Sequence, residues 1–130
     1  MSLNVPAALL ERAESGDATD AEFVECVRTS LPYAWSVVSE VATDLHDSAG
    51  ESADHAEPPP GEAERGQLLR ALASDAIRGA LQRHFGVVLA FQNCHRVAAF
   101  TPAAVGGARY RAFTSPRGQL LNQSPELRDC

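Results

Sequence analysis

Residues 67–85 constrain the fold more than any other part of the sequence. Their apolar side chains recur every three or four positions, which places them on one side of an α-helix: Leu69, Leu72, Ala73, Ala76, Ile77, Ala80, Leu81 and Phe85. A polar stripe lies opposite and contains Gln67, Arg70, Ser74, Arg78 and Gln82. The spacing predicts one long amphipathic helix that ends at Gly86 and buries its apolar side against another element.

The residues after this helix have the pattern of a small antiparallel sheet. Apolar runs at 87–91 and 96–100 flank the polar residues Gln92, Asn93, Cys94 and His95, which predicts a β-hairpin. Alternation over 109–113 predicts a third strand. The Ser-Pro pairs at 115–116 and 124–125 predict short helical turns at 119–121 and 126–128.

Three helices are expected nearer the N-terminus. The first lies between residues 6 and 16, and the second begins with a capping box formed by Thr19 and Glu22. Ser30 is expected to cap a third helix that has Pro32 in its first turn and ends near His46. Because Pro32 has no amide hydrogen to donate, the second and third helices are either separate or one kinked helix.

Residues 47–64 have a different composition from the rest of the chain. They contain six acids, Pro58, Pro59 and Pro60, and no aliphatic residue larger than alanine, so they predict a mobile acidic linker. The sequence as a whole predicts a single α+β domain over residues 1–130. In it, a helical N-terminal part is joined by the linker to the long helix, which packs on the antiparallel sheet.

Charge is distributed unevenly between the two halves. Residues 1–64 hold 14 of the 17 acids and only two arginines, whereas residues 65–130 hold nine arginines and three acids. A basic half can bind nucleic acid or an acidic protein. The alternatives are that the two halves neutralise one another, or that the acids lie in a solvated linker.

Every basic residue is arginine, lysine is absent, and Ile77 is the sole isoleucine, a bias typical of a GC-rich genome. In this composition, and over residues 75–96 and 115–130, the chain resembles small actinobacterial proteins of uncharacterised function. That resemblance implies no activity and assigns no catalytic residue.

The stretch around Cys94 is the candidate for nucleophilic catalysis. His95 and Arg96 are neighbours that can lower the pKa of a thiol, and His84 is a candidate to orient the imidazole. Adjacent strand residues point to opposite faces, which favours the alternative that this loop only closes the hairpin. The three cysteines, at positions 26, 94 and 130, are expected to be free thiols, with Cys26 buried as a small apolar side chain. No CxxC, HxxxH or HExxH pattern occurs, so neither a metal site nor a cofactor is expected.

The leading functional hypothesis is a non-enzymatic cytoplasmic adaptor or regulatory protein that forms a homodimer. Its longest apolar run, 87–91, is too short to span a membrane. Five arginines are the candidate binding residues for an acidic partner: Arg70, Arg78, Arg96, Arg109 and Arg111. Asp75 is expected to pair with Arg78. The alternative is a small-molecule binding protein or enzyme whose pocket, between the long helix and the sheet, is lined by Trp35, Phe91, Phe100 and Tyr110.

Overall fold

A computed structural model describes residues 2–93 and 95–121. Within these ranges the chain forms seven α-helices, three strands and one 3₁₀ turn at Pro102–Ala104. The helices are α1 (Ala7–Ser15), α2 (Asp20–Ser30), α3 (Pro32–Ser48), α4 (Glu62–Ala73), α5 (Asp75–Phe85), α6 (Ala108–Thr114) and α7 (Pro116–Leu121). The strands are β1 (Ser52–His55), β2 (Val88–Gln92) and β3 (Arg96–Phe100). This arrangement confirms the α+β class.

The strands form an antiparallel sheet in the order β1-β3-β2. Ala99 of β3 lies opposite both Ala53 of β1 and Leu89 of β2, and Phe100 lies opposite Ser52 and Val88. The hairpin of β2 and β3 confirms the sequence prediction. Since successive side chains alternate between faces, the sheet presents one face through Leu89 and Ala99 and the other through Phe100.

Helices cover both faces of this sheet. Leu89, Val97 and Ala99 belong to the hydrophobic core formed with α2, α3, α4 and α5. On the opposite face Phe100 packs edge-on against Tyr110 and Phe113 of α6, with ring centroids 5.2 and 6.0 Å away. The sheet is therefore the middle of three layers.

The predicted long helix is two helices, which corrects the first sequence prediction. Ser74 has extended backbone dihedrals, and its hydroxyl accepts a hydrogen bond from the amide of Ile77, 3.4 Å away, so it caps α5. The break changes which face is buried: α4 buries Leu68 and Ala71, whereas Leu69, Ala73 and Ala76 are exposed. The apolar residues keep the same helical spacing on both sides of Ser74, so the sequence pattern does not reveal the break.

Two further predictions about local structure are wrong. Residues 52–55 of the predicted linker form β1, which is paired to β3, and α4 begins at Glu62. Residues 109–113 lie in α6 rather than in a strand. The third strand of the sheet thus comes from before the α4–α5 pair and not from after the hairpin.

The N-terminal predictions are partly confirmed. Thr19 and Glu22 form both bonds of the capping box, and Pro32 is the first residue of a separate helix. Ser30 does not cap that helix, since its hydroxyl accepts a bond from the amide of Asn4 instead. The helix continues past His46 to Ser48. Residues 119–121 lie in α7 as predicted, and residues 126–128 lie outside the described part of the chain.

In the described ranges, none of the helices combines the length and apolar character that crossing a bilayer requires.

Candidate binding surface

Among the residues that the structure describes, two ion pairs join the acidic half of the chain to its basic half. The guanidinium of Arg83 on α5 donates to both carboxylate oxygens of Asp20 on α2, at 2.7 and 3.1 Å. Arg96 on β3 donates to Asp54 on β1 at 2.7 Å. The hydrogen bond from Arg83, followed by its positive charge, lowers the pKa of Asp20. Part of the charge asymmetry is therefore neutralised within the molecule.

Arg96 is a structural residue rather than an outward-facing one. Besides Asp54, its guanidinium donates to the side chain of Gln92 at 3.4 Å and lies over the ring of Phe113, 5.7 Å from the centroid. It thereby joins β1, the hairpin and α6. This placement removes it from the set of candidate binding residues.

Arg78 stabilises the corner between α4 and α5. One of its nitrogens donates to the carbonyl of Leu72, in the last turn of α4, at 2.8 Å, and another donates to Asp75 at 2.7 Å. The pairing of Asp75 with Arg78 was predicted and is confirmed. The Asp75 side chain is 94% exposed, so this ion pair is held in solvent and contributes little stability.

A second group of arginines has no carboxylate partner among residues 2–93 and 95–121: Arg65, Arg70, Arg109, Arg111 and Arg117. Three of them lie on the α6–α7 segment, 108–121, which contains no acid. Arg109, Arg111 and Arg117 are all exposed. We call these three residues together with exposed Arg70 the free-arginine set.

The turn between β2 and β3 is polar and buried. Gln92, Asn93 and His95 are all at most 5% exposed. The side-chain amide of Gln92 donates to the backbone carbonyl of Phe113 at 2.8 Å. The backbone amide of Asn93 donates to the side-chain oxygen of Gln119 at 3.2 Å. Helices α6 and α7 therefore hold the turn by satisfying its polar groups.

The same turn contains the predicted catalytic residues. Cys94 lies outside the described residues. His95 Nδ1 lies 2.7 Å from the carbonyl oxygen of Asn93. Because a carbonyl only accepts, Nδ1 carries the hydrogen in this contact. The other candidate, His84, packs instead against Trp35 and Phe85, at ring distances of 5.4 and 4.7 Å.

The four aromatic residues predicted to line one pocket do not share it. Trp35 packs on His84 and Phe85, and Phe100 lies on the α6 face of the sheet against Tyr110. Phe91 and Tyr110 alone of the four line a common cleft, of about 430 Å³. The prediction is wrong because successive apolar side chains of a strand point to opposite faces of the sheet, and helices cover both of those faces.

This cleft follows the edge of β2 between the two helical layers. Leu72, Arg78 and Gln82 form one wall, residues 88–91 line the base, and Tyr110 and Thr114 form the other wall. The side-chain oxygen of Gln82 accepts a hydrogen bond from the backbone amide of Leu89 at 2.9 Å. Gln82 was not predicted to line a cleft, because its spacing places it on the polar stripe of a helix.

A larger cavity, of about 480 Å³, lies between α1 and α2 and is mainly apolar. Cys26 lines it, is 5% exposed as predicted, and directs its thiol to the carbonyl of Asn4 at 3.3 Å. Arg12 and Glu22, which form an ion pair, also line this cavity. None of the free arginines contributes to it.

Residues 1–130 match a family model labelled KH NucS shadow and described as NucS shadow ORF. The chain therefore belongs to that family, whose description assigns no activity. Searches of curated proteins and of solved structures gave no match.

Proposed function

We propose that this member of the NucS shadow ORF family is a non-catalytic binding module that engages an acidic protein through the free-arginine set. The observation that carries the proposal is the division of the arginines into two groups. Arg83 and Arg96 hold elements together through internal ion pairs, and Arg78 does so through its hydrogen bond to the carbonyl of Leu72. The arginines of α6 and α7 are exposed and have no carboxylate in their own segment.

An arginine without an internal partner is well suited to an external carboxylate. Its planar guanidinium can donate two parallel hydrogen bonds, and it is less strongly hydrated than an ammonium group. Because all the basic residues of this surface are arginines, it favours recognition of acidic side chains in a partner. The acids of the N-terminal half at the same time repel a partner that approaches from that side.

Nucleic acid is the second candidate partner, because the name of the family model includes KH, which is also the name of a nucleic-acid-binding module. KH modules clamp the backbone of about four nucleotides with a GXXG loop. No two glycines in this chain are separated by two residues, and Asp75, the first residue of α5, carries a charge that repels phosphate. A protein partner therefore fits the chain better.

The cleft beside β2 supports a binding role over catalysis. Its polar side chains Arg78 and Gln82 are already bonded to backbone groups of Leu72 and Leu89. General acid–base chemistry needs titratable groups directed at a substrate. Among the described residues, those that line the cleft include one charged side chain, Arg78, and neither histidine nor carboxylate.

A titration with defined polyanions tests the proposal. We would measure fluorescence anisotropy of a labelled glutamate dodecamer and of a labelled deoxythymidine dodecamer against the full chain at low and high salt. Replacing Arg109, Arg111 and Arg117 with Gln should weaken binding of the glutamate peptide about tenfold or more, and salt should weaken binding to the wild type.

Replacing Arg12 and Arg28 with Gln is the matched control, because both arginines pair with acids on α2. That variant should bind as the wild type does. Equal affinity of the triple variant and the wild type would contradict the proposal. Tighter, steeply salt-dependent binding of the oligonucleotide would favour the nucleic-acid alternative.

We also propose that residues 1–130 form one cytoplasmic domain that associates as a homodimer. The small residues Ala73 and Ala76 are exposed at the α4–α5 corner, where they permit close approach of a second copy. Sedimentation equilibrium at micromolar concentration should show a dimer. A monomer throughout that range would contradict this part of the proposal.

A further inference from the structure

Strand β2 lies at an edge of the sheet formed by the described residues, and the cleft of about 430 Å³ follows that edge. An edge strand carries backbone groups that a second strand can pair with. Here the space beside the edge is bounded on one side by α4 and α5 and on the other by α6. A strand added in the plane of the sheet would therefore continue the sheet between its two helical layers.

The hydrogen-bond pattern identifies which groups are directed into the cleft. The amide of Leu89 donates to Gln82 and therefore points away from β3. In an antiparallel pair, residues alternate between those that bond the neighbouring strand and those that do not. Phe91, two positions later, consequently also directs its amide and carbonyl away from β3 and towards the cleft.

We propose that an extended acidic peptide pairs with the edge of β2 in this cleft. The proposal rests on the proposed function and specifies the form of the acidic partner. Alternate side chains of such a peptide would face opposite walls. One set meets the guanidinium of Arg78, and the other meets the ring of Tyr110.

Charge selects an acidic peptide over a second copy of this edge. Of the cleft-lining residues in the described part of the chain, Arg78 alone is charged. Two copies joined edge to edge would bring like charges together, whereas a peptide carboxylate would bring the opposite charge. Since Asp75 is 94% exposed, exchanging it for a peptide carboxylate costs Arg78 little.

Gln82 has a defined role in this proposal. By accepting from the amide of Leu89, it occupies one of the donors that an incoming strand would use. Gln82→Ala frees that donor and should tighten peptide binding about threefold. Gln67→Ala is the matched control, because Gln67 likewise accepts from backbone amides, those of Tyr33 and Ala34, but does not line the cleft.

The test compares two blocked peptides of equal charge with the full chain labelled for NMR. One has the sequence Glu-Val-Glu-Val-Glu-Val, and the other carries a methyl group on the backbone nitrogen of each Glu, which removes the donors that would face β2 when the Glu side chains face Arg78. The first should bind more tightly and should slow hydrogen exchange of the Phe91 amide by about tenfold or more at saturation. Gln82→Ala should raise its affinity, and Gln67→Ala should not.

The other outcomes distinguish failure of strand pairing from failure of the acidic-partner function. Equal affinity for the two peptides, or unchanged exchange at Phe91 under saturation, would overturn strand pairing. If that equal binding also weakened when Arg109, Arg111 and Arg117 were replaced, the acidic-partner function would stand without strand pairing. Failure of both peptides and of the glutamate dodecamer to bind at low salt would contradict the function and the strand pairing together. Protection of Phe91 by the deoxythymidine dodecamer alone would assign the cleft to nucleic acid.

Discussion

Several side chains bond to backbone groups of a neighbouring element and so hold the layers in place. Gln67 joins α4 to the first turn of α3, Gln82 joins α5 to β2, and Gln92 joins the hairpin to α6. Each bond gives a partner to a part-buried backbone group. The cost of leaving such a group unpaired is about 1–3 kcal/mol, which exceeds the net gain from a typical hydrogen bond.

The ion pair between Asp20 and Arg83 predicts how stability depends on pH. The hydrogen bond from Arg83 lowers the pKa of Asp20 in the folded protein, so the stabilisation is present above the ordinary pKa of an aspartate. It is lost as the pH falls through the lowered value. Asp20→Asn and Arg83→Gln should each flatten the loss of stability in acid, measured by urea unfolding below pH 5. An unchanged slope in both variants would contradict this assignment.

Cys94 is expected to show no enhanced reactivity as a nucleophile. Its neighbours Asn93 and His95 are buried, and the Nδ1 hydrogen of His95 is directed to the carbonyl of Asn93. We expect iodoacetamide to alkylate Cys94 no faster than Cys130 at pH 6.5, measured by mass spectrometry. Faster reaction of Cys94 would instead support a thiolate nucleophile, since an ordinary thiol titrates near pH 8.5.

Two helical glycines are expected to respond in opposite ways to substitution by alanine. Gly79 lies inside α5, and a Cβ there would meet only the flexible end of Arg83 at 3.4 Å. Gly79→Ala should therefore stabilise the protein by about 0.5–1 kcal/mol. At Gly118 a Cβ would overlap the carbonyl oxygen of Ala112 and approach Gln92, so Gly118→Ala should destabilise the packing of α7 on the hairpin. Urea unfolding of both variants checks the pair, and a stabilising Gly118→Ala would contradict the close approach.

The elements that sequence analysis predicted correctly are those whose signals are local. The capping box at Thr19 and the hairpin both depend on residues close together in the chain. Strand β1 was missed because residues 52–55 include no β-branched or aromatic side chain, and the segment is extended because it pairs with β3. In α6, Tyr110 and Phe113 are three residues apart, which suits a helix, but the alternation of arginines around Tyr110 suggested a strand.

The residues of the candidate surface were predicted only in part, because the sequence does not show which arginines have partners within the fold. Composition alone marked Arg70, Arg109 and Arg111, which are exposed and lack carboxylate partners in the described ranges. It also marked Arg96, whose pairing with Asp54 depends on how distant segments meet, and Arg78, whose bond to the carbonyl of Leu72 depends on the break between α4 and α5. Ser74 was assigned to the solvent side of a continuous helix, although a serine before Asp75 and an apolar stretch is itself a helix-start signal.

For the whole molecule, the charge asymmetry is only partly used in folding. Arg83 and Arg96 neutralise acids from the other half, whereas the arginines of α6 and α7 have no carboxylate partner among the residues that the structure describes. Most acids of α1, α2 and α3 are exposed. The molecule therefore presents surfaces of opposite charge, which can orient a charged partner as it approaches.

Mapping the bound peptide on the full chain tests this account most directly. During titration with the glutamate dodecamer at low salt, backbone NMR resonances should change most around Arg109, Arg111 and Arg117, while those of α1, α2 and α3 stay in place. Raising the salt to about 300 mM should reverse the changes, because exposed charges are then strongly screened. Changes centred on α1, α2 and α3, or none at low salt, would contradict the central claim that the free arginines form the binding surface.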